Sequence, residues 1–255
     1  MTNLIEKIKE VLRVNREKAQ HYFIDSGYVA IGRNYAKNCE RARILNCRDS
    51  LVDMREFNHA HTLLLGVIGG MLEVNSGKRV PIENEVVSRR FVLTAAFIQG
   101  ISLCEQSILQ GQYLQAGNLL RQENEILGLL AEVKNGKRQD GMVVNAKNFP
   151  WKGHKHYGEL SALAHLSDHK ILDSLVGYRT AWGDFASTVP QYQKENAGRL
   201  YGFHVSMVLG LVQELQDLYS EIYDYKPDSR ENNVIDVASS ILVQCKIFNP
   251  PMNSH

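Results

Sequence analysis

Proline is scarce in this 255-residue chain, at six, and no stretch shows strong period-two alternation, so helices are favoured over strands. Cysteine is scarce too. Cys39, Cys47, Cys104 and Cys245 lie far apart without a CxxC pair, which gives no disulfide framework and suits a reducing cytoplasm. Charge of one sign is lacking. A net charge of +1 and a pI of 7.7 give no global pull toward nucleic acid or an acidic membrane. Long apolar runs are missing as well. The stretches 91–103 and 201–212 are interrupted by Thr94, Gln99, Ser102, His204 and Ser206, well short of the ~18 apolar residues of a membrane span. The opening MTNLIEKIKEVLR has no signal-peptide core. HExxH, GxSxG, P-loop and Rossmann glycine patterns are all absent, which removes the metalloprotease, hydrolase-elbow and common nucleotide-binding readings.

What is present is sustained 3.6-residue periodicity, so the expected class is all-α: a helical bundle with a central, long antiparallel helical hairpin. The hairpin should run over Glu83–Leu109 and Gln112–Val133, turning near Gly111. Before it, helices are expected over Asn3–Ile24, through Ile31 to Ala42, and again from Leu51, with Asp49 or Ser50 as an N-cap and a weak point at Gly69-Gly70. After it, 135–153 is rich in glycine, lysine and asparagine and reads as a long loop and a candidate subdomain boundary. A helix from Tyr157 follows, then a short one over Ile171–Val176, then an irregular aromatic stretch, GYRTAWGDFASTVPQY. A long buried helix over Lys194–Tyr225 and a closing helix through Val234 and Val243 complete one domain over 1–248, with a disordered tail at 249–255.

The segment YGELSALAHLSDH repeats polar residues at steps of four, Tyr157, Ser161, His165 and His169, opposite Leu160, Leu163 and Leu166. His165 and His169 have the spacing of two imidazoles on one metal ion, with His154, His156, Glu159 and Asp168 nearby. A solvated helix face explains the same row. His59 and His61 point to different sides and add little. Glu123 sits between Leu120 and Leu127 on an apolar face, so it should be buried against an Arg, Tyr or His from another helix. His204 shares a face with Leu200, Met207, Leu211 and Leu218, and Arg199 precedes it by five.

Arg199 and His204 in an R-x4-H spacing resemble the signature of HEPN domains, helical bundles found in toxins and defence ribonucleases. The resemblance implies metal-independent RNA cleavage, the arginine stabilising phosphate charge and the histidine moving a proton. A looser resemblance covers AGNLLRQENEIL and YGELSALAHLS, which look like all-helical bacterial proteins distantly associated with HEPN-like bundles. It implies that Arg121, Glu123, Tyr157, Ser161 and His165 face one another across two helices. The first expectation is therefore a HEPN-like protein of bacterial defence or mobile elements, a ribonuclease or a non-catalytic relative. Its catalytic set would be Arg199, His204 and Glu123, and its substrate-binding set Arg121, Tyr157, Ser161 and His165. RNA would be the partner, with no cofactor and no metal. The second expectation is a non-enzymatic module that binds another protein or its own copy as a homodimer. The third is a metal-dependent enzyme built on the His165 row. No membrane partner is expected.

Overall fold

The computed structural model describes residues 2–25, 27–80, 84–145, 147, 149, 154–164, 169–180, 183–245 and 247, with side chains described except at 2–5, 19–25, 154–156, 178–180 and 184. Helix α1 spans Thr2–Asp25, α2 Tyr28–Asp53 and α3 Arg55–Asn75. Helices α4 (Glu85–Leu109) and α5 (Tyr113–Lys134) form the expected hairpin. Helices α6 (His154–Ala164) and α7 (His169–Val176) lead into strands β1 (Gly177–Thr180) and β2 (Gly183–Ala186). Helices α8 (Lys194–Tyr223) and α9 (Ser229–Gln244) close the chain. The described residues are all-α apart from the β1–β2 ribbon, an antiparallel pair of four residues each.

Local chemistry explains most boundaries. The Asn84 side chain accepts from the Val87 amide and starts α4, and Asp228 caps α9 through the Glu231 amide. Gly111 turns α4 into α5 at φ 77°, and a Cβ there would sit 2.7 Å from Asn46 Nδ2. Two helix boundaries differ from the sequence expectation. Asp49 and Ser50 do not start a helix, because α2 continues to Asp53 and the break falls at Met54, at φ −105° and ψ 26°. Ser50 is instead buried and donates to the Leu109 carbonyl, pinning α2 to the end of α4. Gly69 and Gly70 do not weaken α3, which runs through them to Asn75. The aromatic stretch expected to be irregular supplies the β1–β2 ribbon.

Helix α8 is the centre. Leu200, Val205, Val208, Leu211, Val212, Leu215 and Leu218 are buried on it, and α3, α4 and α5 all pack against it. Helix α9 covers α3, and α6 covers α5. Among the described residues α4 alone is long and apolar enough by composition to cross a membrane. Its inward face, with Val87, Phe97, Ile101, Cys104 and Ile108, lies in the bundle core. The long loop is anchored at several points. Val144 and Phe149 are buried against Gly128 of α5, and the Asn145 amide donates to Glu132 Oε1 at 2.7 Å. Helix α1 is the contrast: its one substantial neighbour is α2, and that contact is sparse.

Candidate functional site

Four helices bring their polar residues to one place inside the bundle. Phe57, Ala60, His61 and Leu64 share the buried face of α3, which carries His61 inward. Cys104 follows Phe97 and Ile101 on the buried face of α4, with Glu105 beside it. Glu123 enters from α5 and His204 from α8. His204 Nδ1 lies 2.9 Å from Glu123 Oε2, and the His204 side chain is 0% exposed. The burial and inter-helix partner follow from the place of Glu123 between Leu120 and Leu127. His61 Nδ1 lies 2.8 Å from Glu105 Oε1, and Tyr201 donates to that same oxygen at 2.6 Å. Asn58 Nδ2 in turn donates to the Tyr201 hydroxyl at 3.2 Å. The His61 and His204 rings are 4.9 Å apart, centre to centre.

The electrostatics follow from burial and these bonds. Burial alone would raise the Glu105 carboxyl, but hydrogen bonds from His61 and Tyr201 hold it below its ordinary value. Burial pushes the Tyr201 hydroxyl far up, and the Glu105 charge adds to the shift. Burial, then the nearby Glu123, pushes the Cys104 thiol well up, so it stays protonated rather than acting as a free nucleophile. Glu123 Oε1, His204 Nε2 and His61 Nε2 are buried without a hydrogen-bond partner.

A second cluster lies between α5 and α6. Arg121 Nε donates to Glu125 Oε1 at 2.9 Å, Tyr157 donates to the same oxygen at 3.2 Å, and the Arg121 guanidinium sits 5.8 Å from the Tyr157 ring centre. Ser161 is half-buried one turn along α6. Arg199 is 40% exposed and bonds Glu159 of α6 at 2.5 Å. Arg121 and Tyr157 thus meet. Glu123 turns inward to His204 instead of joining them, while Arg199 turns outward. Five residues around a helix is about 140°, which separates Arg199 from His204. His165 lies outside the described residues, and His169 begins the separate helix α7.

Of the described clefts, one is lined by Glu85, Arg89, Arg138 and Asp140, with Arg89 paired to Glu85 and Asp140, and one by charged residues of α1. The one beside β2 is lined by Tyr113, Leu175 and 187–191, and its only ionisable group is Tyr113, whose hydroxyl burial pushes up to about 12. The largest departure from an ordinary surface is the α1–α2 arm. Ile8 (51% exposed), Val11 and Leu12 form one face of α1. On α2, Tyr28, Ile31 (62% exposed), Tyr35, Asn38, Ala42, Leu45, Asp49 and Val52 alternate steps of three and four. That is the spacing of a coiled-coil seam with two polar residues, Asn38 and Asp49, inside it.

Sequence reasoning missed His61, Cys104, Glu105 and Tyr201. His61 had a signal, four residues after Phe57 and three before Leu64, but the phase of α3 had first to be known. No family model, no curated protein and no solved structure matches this chain.

Proposed function

We propose that the protein is a non-catalytic, HEPN-like helical module that works by self-association, with the α1–α2 arm as its docking element. The observation that carries this reading is the apolar row on α1 and on the outward face of α2, turned to solvent although the end of α2 packs on α4. A helix of this length draws most of its stability from packing an amphipathic face. A seam with three-four spacing fits a helix of the same repeat, and a second copy supplies one. The stretch 6–18 interleaves Glu6, Glu10 and Glu17 with Lys7, Lys9, Arg13, Arg16 and Lys18, a net charge of +2 that the apolar contact between two copies must outweigh.

The ribonuclease alternative has less support. Its mechanism needs the arginine and the histidine at one phosphate, whereas Arg199 is held by Glu159 at the surface and His204 is enclosed with Glu123. Arg121 is likewise matched by Glu125. Sedimentation equilibrium on the full chain tests the proposal. The expected result is a dimer that dissociates when Ile31 is replaced by Lys. A wild-type chain that stays monomeric at tens of micromolar would overturn it.

A further inference from the structure

The core cluster has a chemistry that the association reading does not use. We propose that Cys104, Glu123 and His204 form a binding site for a transition-metal ion of the zinc class. Among the described residues, a thiol sulfur, a carboxyl oxygen and an imidazole nitrogen from these three lie within 4.8 Å of one another, all buried. Zinc bonds of about 2.0–2.3 Å place tetrahedral ligands about 3.3–3.8 Å apart, so the donors need only small shifts. His204 Nδ1 and Glu123 Oε2 stand 2.9 Å apart, a hydrogen-bond distance that would open slightly if both bound the ion.

A second observation points the same way. The bundle buries Glu123 Oε1, His204 Nε2 and His61 Nε2 with no hydrogen bond to any of them. Buried polar atoms are nearly always satisfied, and the unpaired atoms of Glu123 and His204 beside a thiol mark a place built for a ligand. The His61 ring packs beside the His204 ring and turns its unpaired Nε2 away from the Glu105 bond. His61 lies beside these three donors and not among them, with its Nδ1 held by Glu105.

Sulfur, nitrogen and one oxygen form a borderline-soft set, which suits zinc or cobalt and disfavours calcium and magnesium. The three donors come one each from α4, α5 and α8, so an ion would clamp these helices of the core together. The site is enclosed, so the ion would enter as the chain folds. Binding takes the Cys104 thiol to a thiolate and releases its proton to solvent. Affinity should fall about tenfold for each unit of pH lowered, for the one proton released.

The test refolds the full chain from denaturant, in chelator-treated buffer, with one equivalent of zinc or cobalt chloride. After desalting, elemental analysis should find about one zinc per folded chain, and the cobalt form should show a thiolate-to-cobalt charge-transfer band. Cys104→Ser should abolish that band and His204→Gln should weaken retention, while Cys39→Ser should change neither. A wild-type chain that folds by circular dichroism yet retains no zinc and shows no band overturns the site, whatever the variants do. Persistence of the band in Cys104→Ser overturns it as well.

Discussion

The bundle core and the α1–α2 arm break the same rule in opposite directions. The core, around α8, buries Glu123, His204, His61 and Arg90 among aliphatic side chains. The arm turns Ile8, Leu12, Tyr28 and Ile31 to solvent along α1 and the first half of α2, while the last turns of α2 pack on α4 through Asn46 and Ser50. Buried polar groups carry a desolvation cost unless they are paired, and the core pairs most of them. His204 has Glu123, His61 has Glu105, and Arg90 has Glu221 at 2.5 Å. Exposed apolar groups in rows, by contrast, find no relief inside this chain. Buried pairs hold the core, whereas the proposed self-association would cover the arm, and each can be tested.

The largest effect is expected where the core pairing is cut. Glu123→Ala leaves His204 Nδ1 buried without its partner and opens a cavity beside Cys104. It should cost about 3–5 kcal/mol in unfolding free energy, the usual cost of breaking a buried pair from one side. Urea denaturation of the purified chain measures it. A loss no greater than that of an exposed substitution would mean the pair does not hold the core, and the contrast with the arm would vanish.

That pair also shows how far the sequence could be read. Glu123 between Leu120 and Leu127, and His204 among Leu200, Met207 and Leu211, were legible as inward because each helix has a clear apolar phase. The hairpin about Gly111 was legible for the same reason. Which helices meet is not encoded in a single helix's period, so nothing in the sequence joined Cys104 or His61 to Glu123. The Arg199–His204 spacing is ambiguous for the same reason, since proximity along a helix is not proximity around it. Asp49 and Ser50 have N-cap chemistry, but the serine hydroxyl is taken by the Leu109 carbonyl across the bundle. The β1–β2 ribbon was missed because its aromatic residues carry no alternation over four positions.

Gly128→Ala should come next in size. The added methyl would stand 2.3 Å from the Phe149 ring and 2.8 Å from Val144, so the loop anchored there must shift. Overpacking of this kind costs about 1–3 kcal/mol. Because it loosens the covering loop and not the Glu123–His204 pair, the loop should become more open to proteolysis while the core amides keep their hydrogen-exchange protection. Equal loss of protection at both would show that loop and core unfold as one.

Acid should act on the core before the arm, through Glu105. Its carboxyl titrates below its ordinary value in the folded chain, because His61 and Tyr201 bond the ionised form, against the opposing effect of burial. The unfolded chain therefore binds this proton first as pH falls. The stability that Glu105 contributes is complete above the ordinary glutamate range and is lost as pH drops through the lower, folded value. Tyr201→Phe removes the 2.6 Å bond and should shrink this acid-dependent part. Stability curves of wild type and Tyr201→Phe that stay parallel from neutral to acid pH would show that Tyr201 does not tune Glu105.

The smallest effect on stability, and the sharpest on behaviour, belongs to the arm. Leu12 and Ile31 are each 62% exposed, so Leu12→Lys and Ile31→Lys remove little that folding has buried. Their unfolding free energies, measured at high dilution, should stay within about 0.5 kcal/mol of wild type. At higher concentration the same substitutions should separate from wild type. If two copies pack along the α2 seam, a lysine at Ile31 places a charge in the apolar contact of both copies at once, and the dimer should dissociate. Stability should then depend on protein concentration in wild type and not in the variants, because association adds to the folded state by mass action. A concentration-independent wild-type transition would leave the apolar row of the arm without a role in self-association. A large loss of monomer stability in Ile31→Lys would instead mean that this row is already buried within the chain, which would end the contrast between arm and core.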